Sequence, residues 1–332
     1  MNLKNDSNEC NRRSRTMKKI PLVVITGPTA SGKTDLAIRI AKRLDGEIIS
    51  ADSMQIYRYM DIGTAKPTEE ERQGIPHYMI DIVDPDEEYN VAMYQKDANT
   101  CIRHAANRSR LPILTGGSGL YVNSIIYPMN FTDAVEDPDY RCFLKNILKN
   151  RGSIYLHNML RDIDPDTAAK LHPNDTRRVI RALEVYHLTG KTMTEYQQNY
   201  RDMDPPFHLI MYALTMDRKI LYDRINQRVD KMIESGLVDE VKSLLERGYT
   251  KNLVSMQGLG YKEIIAYLEG SYTLEEAVYV LKRDTRRFAK RQITWFKRER
   301  RIQWLNIEKF EHRNDLAEWL VSDIEKKLLS NW

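Results

Sequence analysis

Apolar and polar positions in the first part of the chain alternate between two patterns. Ile20-Pro21-Leu22-Val23-Val24-Ile25 is a β-branched apolar run of strand length. Gly46-Glu47-Ile48-Ile49-Ser50-Ala51-Asp52 and Leu111-Pro112-Ile113-Leu114-Thr115 read as two further strands. Between them, Asp35 to Leu44 has helical spacing with Leu36, Ile40 and Leu44 on one face, and Tyr89 to Arg108 also reads as helix. Such alternation predicts a parallel sheet covered by helices on both faces, with ligands at the carboxyl ends of its strands. From Asp133 to about Tyr200 the pattern is helical with no convincing strand. Asp137-Pro138 and Asp164-Pro165 read as helix starts, and His172-Pro173-Asn174-Asp175 as a turn and cap into a helix over Thr176 to Leu188. Arg201 to Pro206 reads as a linker, Phe207 to Leu214 as a returning sheet strand, and the chain from Asp217 as mostly helical.

The first strand and helix enclose Gly27-Pro28-Thr29-Ala30-Ser31-Gly32-Lys33-Thr34, which fits G-x-x-x-x-G-K-[ST], the phosphate-binding P-loop. Strand, glycine-rich turn and helix bring backbone N–H groups and the positive helix end onto a polyphosphate. Lys33 would neutralise phosphate oxygens, and Thr34 would hold magnesium through its hydroxyl. The fold class expected is therefore α/β: a P-loop NTPase-like parallel-sheet core with a helical insertion and a helical C-terminal region. The division expected is a disordered tail over 1–16, the first part of the core over 17–130, the insertion over 131–203, and core completion with basic C-terminal helices over 204–332.

A chain of 332 residues is long enough for a sizeable core, and no run approaches the roughly 18 apolar residues of a membrane span. Cys10, Cys101 and Cys142 are scattered, form no C-x-x-C and argue for a reduced, cytoplasmic protein without zinc. There is no dimerisation heptad, so a monomer is expected. The net charge of +4 is modest, but Lys282, Arg283, Arg286, Arg287, Lys290, Arg291, Lys297, Arg298, Arg300 and Arg301 crowd one segment. That stripe suits a nucleic-acid backbone, or it is an ordinary solvated helix face with Phe288, Trp295, Phe296 and Trp304 on its buried side.

The P-loop reading departs from nucleotide hydrolysis in one respect. Leu111 to Thr115 ends in Gly116-Gly117-Ser118-Gly119, where such proteins usually place a magnesium-binding Asp. The nearest strand-end carboxylate is Asp52. At these residues the chain resembles the bacterial tRNA dimethylallyltransferases, from about Lys18 to Leu305. The shared motifs include Asp52-Ser53 with Ile56-Tyr57, Met60 to Pro67, Pro76-His77, Gly116-Gly117 with Leu120-Tyr121, His172 to Asp175, Arg181 to Val185, Gly260 to Glu263, and Lys290 to Trp295. Ser118 stands where the family commonly has Thr, which keeps the hydroxyl.

The resemblance implies transfer of a dimethylallyl group from dimethylallyl diphosphate to N6 of the adenosine 3′ of the anticodon, with the P-loop (Gly27, Pro28, Thr29, Ala30, Ser31, Gly32, Lys33, Thr34) holding the diphosphate and Mg2+ at Thr34. It implies Asp52, Lys33 and Thr26 as catalytic residues. It implies tRNA contacts at Asp52, Ser53, Met54 and Gln55, at Ser118 and Arg141, and at Arg177, Arg178, Val179, Ile180 and Arg181. Position alone leaves Asp52 either a proton acceptor or a magnesium ligand. Arg228 is either a phosphate contact or an ion-pair partner of Asp223 or Asp230. Tyr57, Tyr121, His77 and His172 read as packing or turn residues, and Glu184 as the partner of a neighbouring Arg. The competing functions are an ATP-dependent small-molecule kinase and a non-catalytic RNA-binding module.

Overall fold

The first apolar run becomes the strand β1 (Pro21–Thr26), and its side chains divide by parity. Leu22 and Val24 face one side of the sheet and Val23 and Ile25 the other, all fully buried, the pattern of a strand covered on both faces. The computed structural model describes residues 19–129, 137–198, 200 and 203–330, so the expected tail over 1–16 lies outside the described residues.

The chain continues through α1 (Lys33–Arg43), β2 (Gly46–Ser50), the short α2 (Glu69–Arg72), β3 (His77–Tyr78), α3 (Val91–Asn107), β4 (Leu111–Gly116) and α4 (Gly119–Ile126). Next come α5 (Pro138–Ile163), α6 (Pro165–Lys170), α7 (Thr176–Thr189) and α8 (Met193–Gln198). Strand β5 (His208–Thr215) is followed by α9 (Arg218–Glu234), α10 (Leu237–Glu246), α11 (Tyr261–Leu268), the long α12 (Leu274–Phe296), β6 (Gln303–Asn306) and α13 (Arg313–Leu329). The sheet order is β3-β2-β4-β1-β5-β6, and every pairing is parallel. Two of these strands were not expected from the sequence. Strand β3 is two residues long, and β6 sits at the opposite edge with only Leu305 buried, so neither carries a long apolar run.

Helices α1 and α13 cover one face through Leu36, Ile40, Leu316 and Leu320, and α3, α4 and the end of α12 cover the other through Tyr94, Ala98, Val122 and Phe296. A third cluster packs the segment from Ile56 to Met60 against α9–α12. Among the described residues no helix is long and apolar enough to cross a membrane.

The helices from α5 to α7 have a core of their own, built on Leu144, Leu156, Leu160, Val179 and Leu183. Both Asp-Pro starts are capped as their sequence implies: Asp137 accepts the Tyr140 N–H at 2.9 Å, and Asp164 accepts the Thr167 N–H at 3.0 Å. Helix α5 bends at Gly152, whose φ of 81° breaks the helical run. Glu184, with no exposed surface, accepts from Arg141 at 3.0 Å and from Arg181 at 2.6 Å, and takes the Asp137 N–H at 3.1 Å. The pairing expected of Glu184 is thus present. Replacing it, Glu184→Ala, should cost about 2 kcal/mol, less than for a fully buried ion pair because both arginines reach solvent. Urea unfolding, with faster amide exchange over 138–189, is the measurement that checks it.

Candidate active site

Strands β2, β4 and β1 lie side by side and end in one row: Ser50 is opposite Thr115, Ile25 is opposite Thr115, and Thr26 is opposite Gly116. Their exits therefore emerge together, the 27–34 loop from β1, Gly117 to Gly119 from β4, and Asp52 from β2. Gly116 is a close-approach position, since a Cβ there would collide with the Ala51 backbone. The Ser118 N–H also donates to the Ala51 carbonyl at 3.0 Å.

The 27–34 loop starts at Gly27, with φ 142°, and a Cβ there would sit 3.0 Å from the Leu214 carbonyl oxygen. It runs into the first turn of α1, so its amides surround the positive end of that helix. Lys33 donates from Nζ to the Pro28 carbonyl at 3.2 Å, folding the ammonium back over the loop. Part of Lys33 stays open to solvent, yet the surrounding protein strips much of its water. Burial first, then the nearby Arg228 guanidinium, lower its pKa to about 8, while the Asp52 carboxylate pulls it upward. Burial also lowers the pKa of Arg228, again opposed by Asp52. Arg228 thus belongs to the charge group of Lys33 and Asp52, and Asp230 is paired instead with Lys282 at 2.5 Å. Within the loop, Ser31 Oγ is buried without a hydrogen-bond partner among the described residues, as is Thr115 Oγ1 at the end of β4.

Asp52 is half-buried, and its Oδ1 accepts the Met54 N–H at 2.9 Å, a turn that aspartate favours. The Ser53 N–H donates to Ser118 Oγ at 2.9 Å, and the Ser118 hydroxyl donates to Ser53 Oγ at 3.1 Å. Gln55 accepts from the Ser50 hydroxyl and donates to the Thr64 and Ala65 carbonyls, which ties its amide into the loop. Tyr121 is buried and stacks on Tyr94 with centroids 3.9 Å apart, and Tyr94 donates to the Ser50 carbonyl at 2.9 Å. Tyr57 is likewise buried, so both tyrosines pack as expected.

Three of the expected residues have partners within the fold. Thr26 has no exposed surface, and its hydroxyl donates to the Gly116 carbonyl at 3.0 Å. It ties β1 to β4. Val179 and Ile180 are buried in the core of the insertion, because they lie on the inner side of α7, so their side chains shape that helix. Arg177 and Arg178 on the same turn are exposed, and Arg178 reaches Asp175 at 3.3 Å.

The basic segment divides similarly. Lys282, Arg283, Arg287 and Arg301 have acidic partners, whereas Lys290, Lys297, Arg298 and Arg300 are exposed and have no ion-pair partner among the described residues. Phe296 is buried, and Trp295 and Trp304 pack against the core, so these aromatic residues are the inner side of the segment.

Sequence reasoning missed two polar side chains. Glu240 accepts the N–H groups of Asp61, Ile62 and Gly63 at 2.9, 2.7 and 3.1 Å and the Tyr261 hydroxyl at 2.7 Å, fixing the segment beyond Asp52. Gln292 joins the two glycine loops. Its only sequence signal is its place inside the Lys290-to-Trp295 motif.

The parallel sheet, with a phosphate-type loop at its central strand and a carboxylate two strands away, defines an α/β protein of the P-loop kind. The chain belongs to the IPP transferase family, whose model matches residues 55–299. It is 53% identical to a tRNA dimethylallyltransferase of Alkaliphilus oremlandii over 93% of this chain and 98% of that protein. The full-length tRNA isopentenylpyrophosphate transferase of Bacillus halodurans is 47% identical, with a TM-score of 0.72 over 94% of this chain and 98% of the other. A eukaryotic dimethylallyltransferase caught acting on tRNA is 32% identical, with a TM-score of 0.75 over 90% of this chain and 75% of the other.

A lysine with a pKa near 8 in the free protein is protonated below that pH and loses its charge above it. Only the ammonium attracts an anionic ligand, so affinity for inorganic diphosphate should fall as pH rises through about 8. Lys33→Arg should move that fall to higher pH, because guanidinium stays charged. Calorimetric titration between pH 6.5 and 9.5 reads both.

Proposed function

We propose that this protein transfers a dimethylallyl group from dimethylallyl diphosphate to N6 of the adenosine 3′ of the anticodon in tRNA, releasing diphosphate. The observation that carries the reading is the facing of an anion-binding loop, with Lys33, by the Asp52 carboxylate across β4. Two strand spacings, roughly 10 Å, separate the exits of β1 and β2, room for an allylic chain and an incoming amine between them. The names of the relatives support the same chemistry.

The 27–34 amides and Lys33 bind the diphosphate and stabilise the charge that develops on it as the C1–O bond breaks. Ser31 Oγ, buried in that loop and without a hydrogen-bond partner among the described residues, would donate to a phosphate oxygen. Thr34 would hold magnesium through its hydroxyl, and the ion would supply positive charge to the leaving diphosphate. Among the described residues no group of three or more His, Cys, Asp or Glu side chains is placed to hold a metal; the ion would take its remaining ligands from substrate and water. As N6 bonds to C1, Asp52 accepts the N6 proton through the oxygen not held by Met54. The base must leave its stack to reach this depth. Ser53 and Ser118, joined beside Asp52, line its approach, with Arg177, Arg178 and the exposed lysines and arginines of the C-terminal segment meeting the tRNA backbone. Arg141 and Arg181, held by Glu184, order the insertion that presents them. In this reading the enzyme acts as a cytoplasmic monomer.

Incubation with magnesium, dimethylallyl diphosphate and tRNA lacking the modification, followed by digestion and mass spectrometry, should give N6-isopentenyladenosine. A parallel reaction with ATP should give none. Consumption of ATP with a phosphorylated small molecule, and no allylic product, would replace this reading with the kinase. Asp52→Ala should leave diphosphate binding within about threefold while lowering turnover by roughly 100-fold or more, the range for a lost general base. Unchanged turnover would remove Asp52 from the reaction.

A further inference from the structure

Gln292 lies on the inner side of α12, is only 6% exposed, and makes two hydrogen bonds to segments far away in sequence. Its Oε1 accepts the Thr29 N–H at 2.8 Å, and its Nε2 donates to the Gly117 carbonyl at 3.1 Å. Thr29 belongs to the loop leaving β1, and Gly117 to the loop leaving β4. The orientation of the amide follows from its partners, one a donor and the other an acceptor. The fit is close on both sides of the residue. A Cβ at Gly117 would collide with the Gln292 amide, and a Cβ at Gly119 with the Trp295 ring. Two glycines thus form a notch into which one turn of α12 is set, and buried Ala289 and Phe296 hold that helix in place.

We propose that Gln292 is a positioning residue that sets the gap between the diphosphate-holding loop and the acceptor-side loop, an inference that rests on the transfer reading above. One arm turns the Thr29 amide toward α12 and so defines which remaining amides of the loop face the phosphates. The other arm holds the Gly117 carbonyl and, through the next residue, the Ser118 hydroxyl that bonds Ser53 beside Asp52. The two halves of the reaction, leaving group and incoming amine, are carried by those two arms. The carboxamide satisfies both at this reach, its oxygen accepting and its nitrogen donating on the same planar group. Glutamate keeps the acceptor for Thr29 but sets a second acceptor against Gly117, and methionine of similar length offers neither.

The test compares Gln292→Glu and Gln292→Met with the unsubstituted protein by thermal melting, by titration with inorganic diphosphate and magnesium, and by kcat and KM for transfer to tRNA. Gln292→Met should bind diphosphate about tenfold more weakly and lose about 100-fold in kcat, the scale of a misplacement near 1 Å. Gln292→Glu keeps the acceptor for Thr29 but sets a negative charge beside the loop, so it should bind diphosphate less tightly than the unsubstituted protein yet more tightly than Gln292→Met, and should lose about 30-fold in kcat because the acceptor arm is released. That split between binding and turnover is what a residue that merely supports the fold would not produce. Equal loss of diphosphate affinity in both variants, or full kcat in Gln292→Met, overturns the proposal. If Gln292→Met does not fold, the split in Gln292→Glu decides alone. Failure of the unsubstituted protein to make isopentenyladenosine would overturn the transfer reading instead, and the diphosphate titrations would still decide whether Gln292 shapes the loop.

Discussion

The ends of β2, β4 and β1 are pressed together at Gly116, and the chemistry of the edge depends on that contact. Gly116 lies so close to Ala51 that no side chain fits between them, and its carbonyl accepts the buried Thr26 hydroxyl from the other side. Parallel strands have evenly spaced ladders, so this junction also fixes how far each strand projects before its loop begins. The 27–34 loop, the Gly117–Gly119 loop and Asp52 are therefore placed relative to each other by backbone packing. Side chains such as Ser118, Ser53 and Gln292 then refine the arrangement.

Electrostatics at this edge are held under tension. Burial disfavours the charged form of both Lys33 and Arg228, the Arg228 guanidinium lowers Lys33 further, and Asp52 draws both back toward the charged state. A site with excess partly desolvated positive charge favours an anionic ligand, because the ligand relieves the repulsion that the fold imposes. The insertion resolves its charges differently. Glu184 holds Arg141 and Arg181 inside the described contacts, leaving Arg177 and Arg178 outward. Exposed and internally bonded arginines thus do different work: Arg177 and Arg178 on α7 face outward, while Arg181 on α7 and Arg141 on α5 meet at Glu184 and keep the two helices in register.

Much of this was legible in the sequence because periodicity and caps are local. The runs ending in Ile25, Ser50 and Thr115 announce strands buried on both faces, and Asp137 and Asp164 announce helix starts that the structure caps as written. The P-loop pattern and Asp52 mark the edge where ligands bind. Strands β3 and β6 were not legible, since two and four residues at sheet edges carry no run to read. Neither was the inward turn of Val179 and Ile180, or the use of the Thr26 hydroxyl within the sheet, because adjacency in a motif does not say which way a side chain points. Gln292 is the clearest case: it sits 263 residues from Thr29 in the chain, and only the folded sheet brings them together.

The same row of strand ends explains why this loop suits group transfer to a bulky acceptor. The strand beside β1 is β4, and where a hydrolysing P-loop protein would set a carboxylate to organise magnesium and water, it carries Thr115, Gly116 and Gly117. The first carboxylate lies one strand farther, at Asp52, behind a turn that engages one of its oxygens with Met54. An acid placed there faces the loop across β4 and still lies within electrostatic reach of Lys33 and Arg228. The small residues at the end of β4 are taken up by close neighbours, Ala51 at Gly116, Gln292 at Gly117 and Trp295 at Gly119, so these three positions put no side chain between the loop and Asp52. What sets this edge apart from a hydrolysing P-loop site is thus the place of its first carboxylate, at the end of β2 and not of β4, more than the loop motif itself.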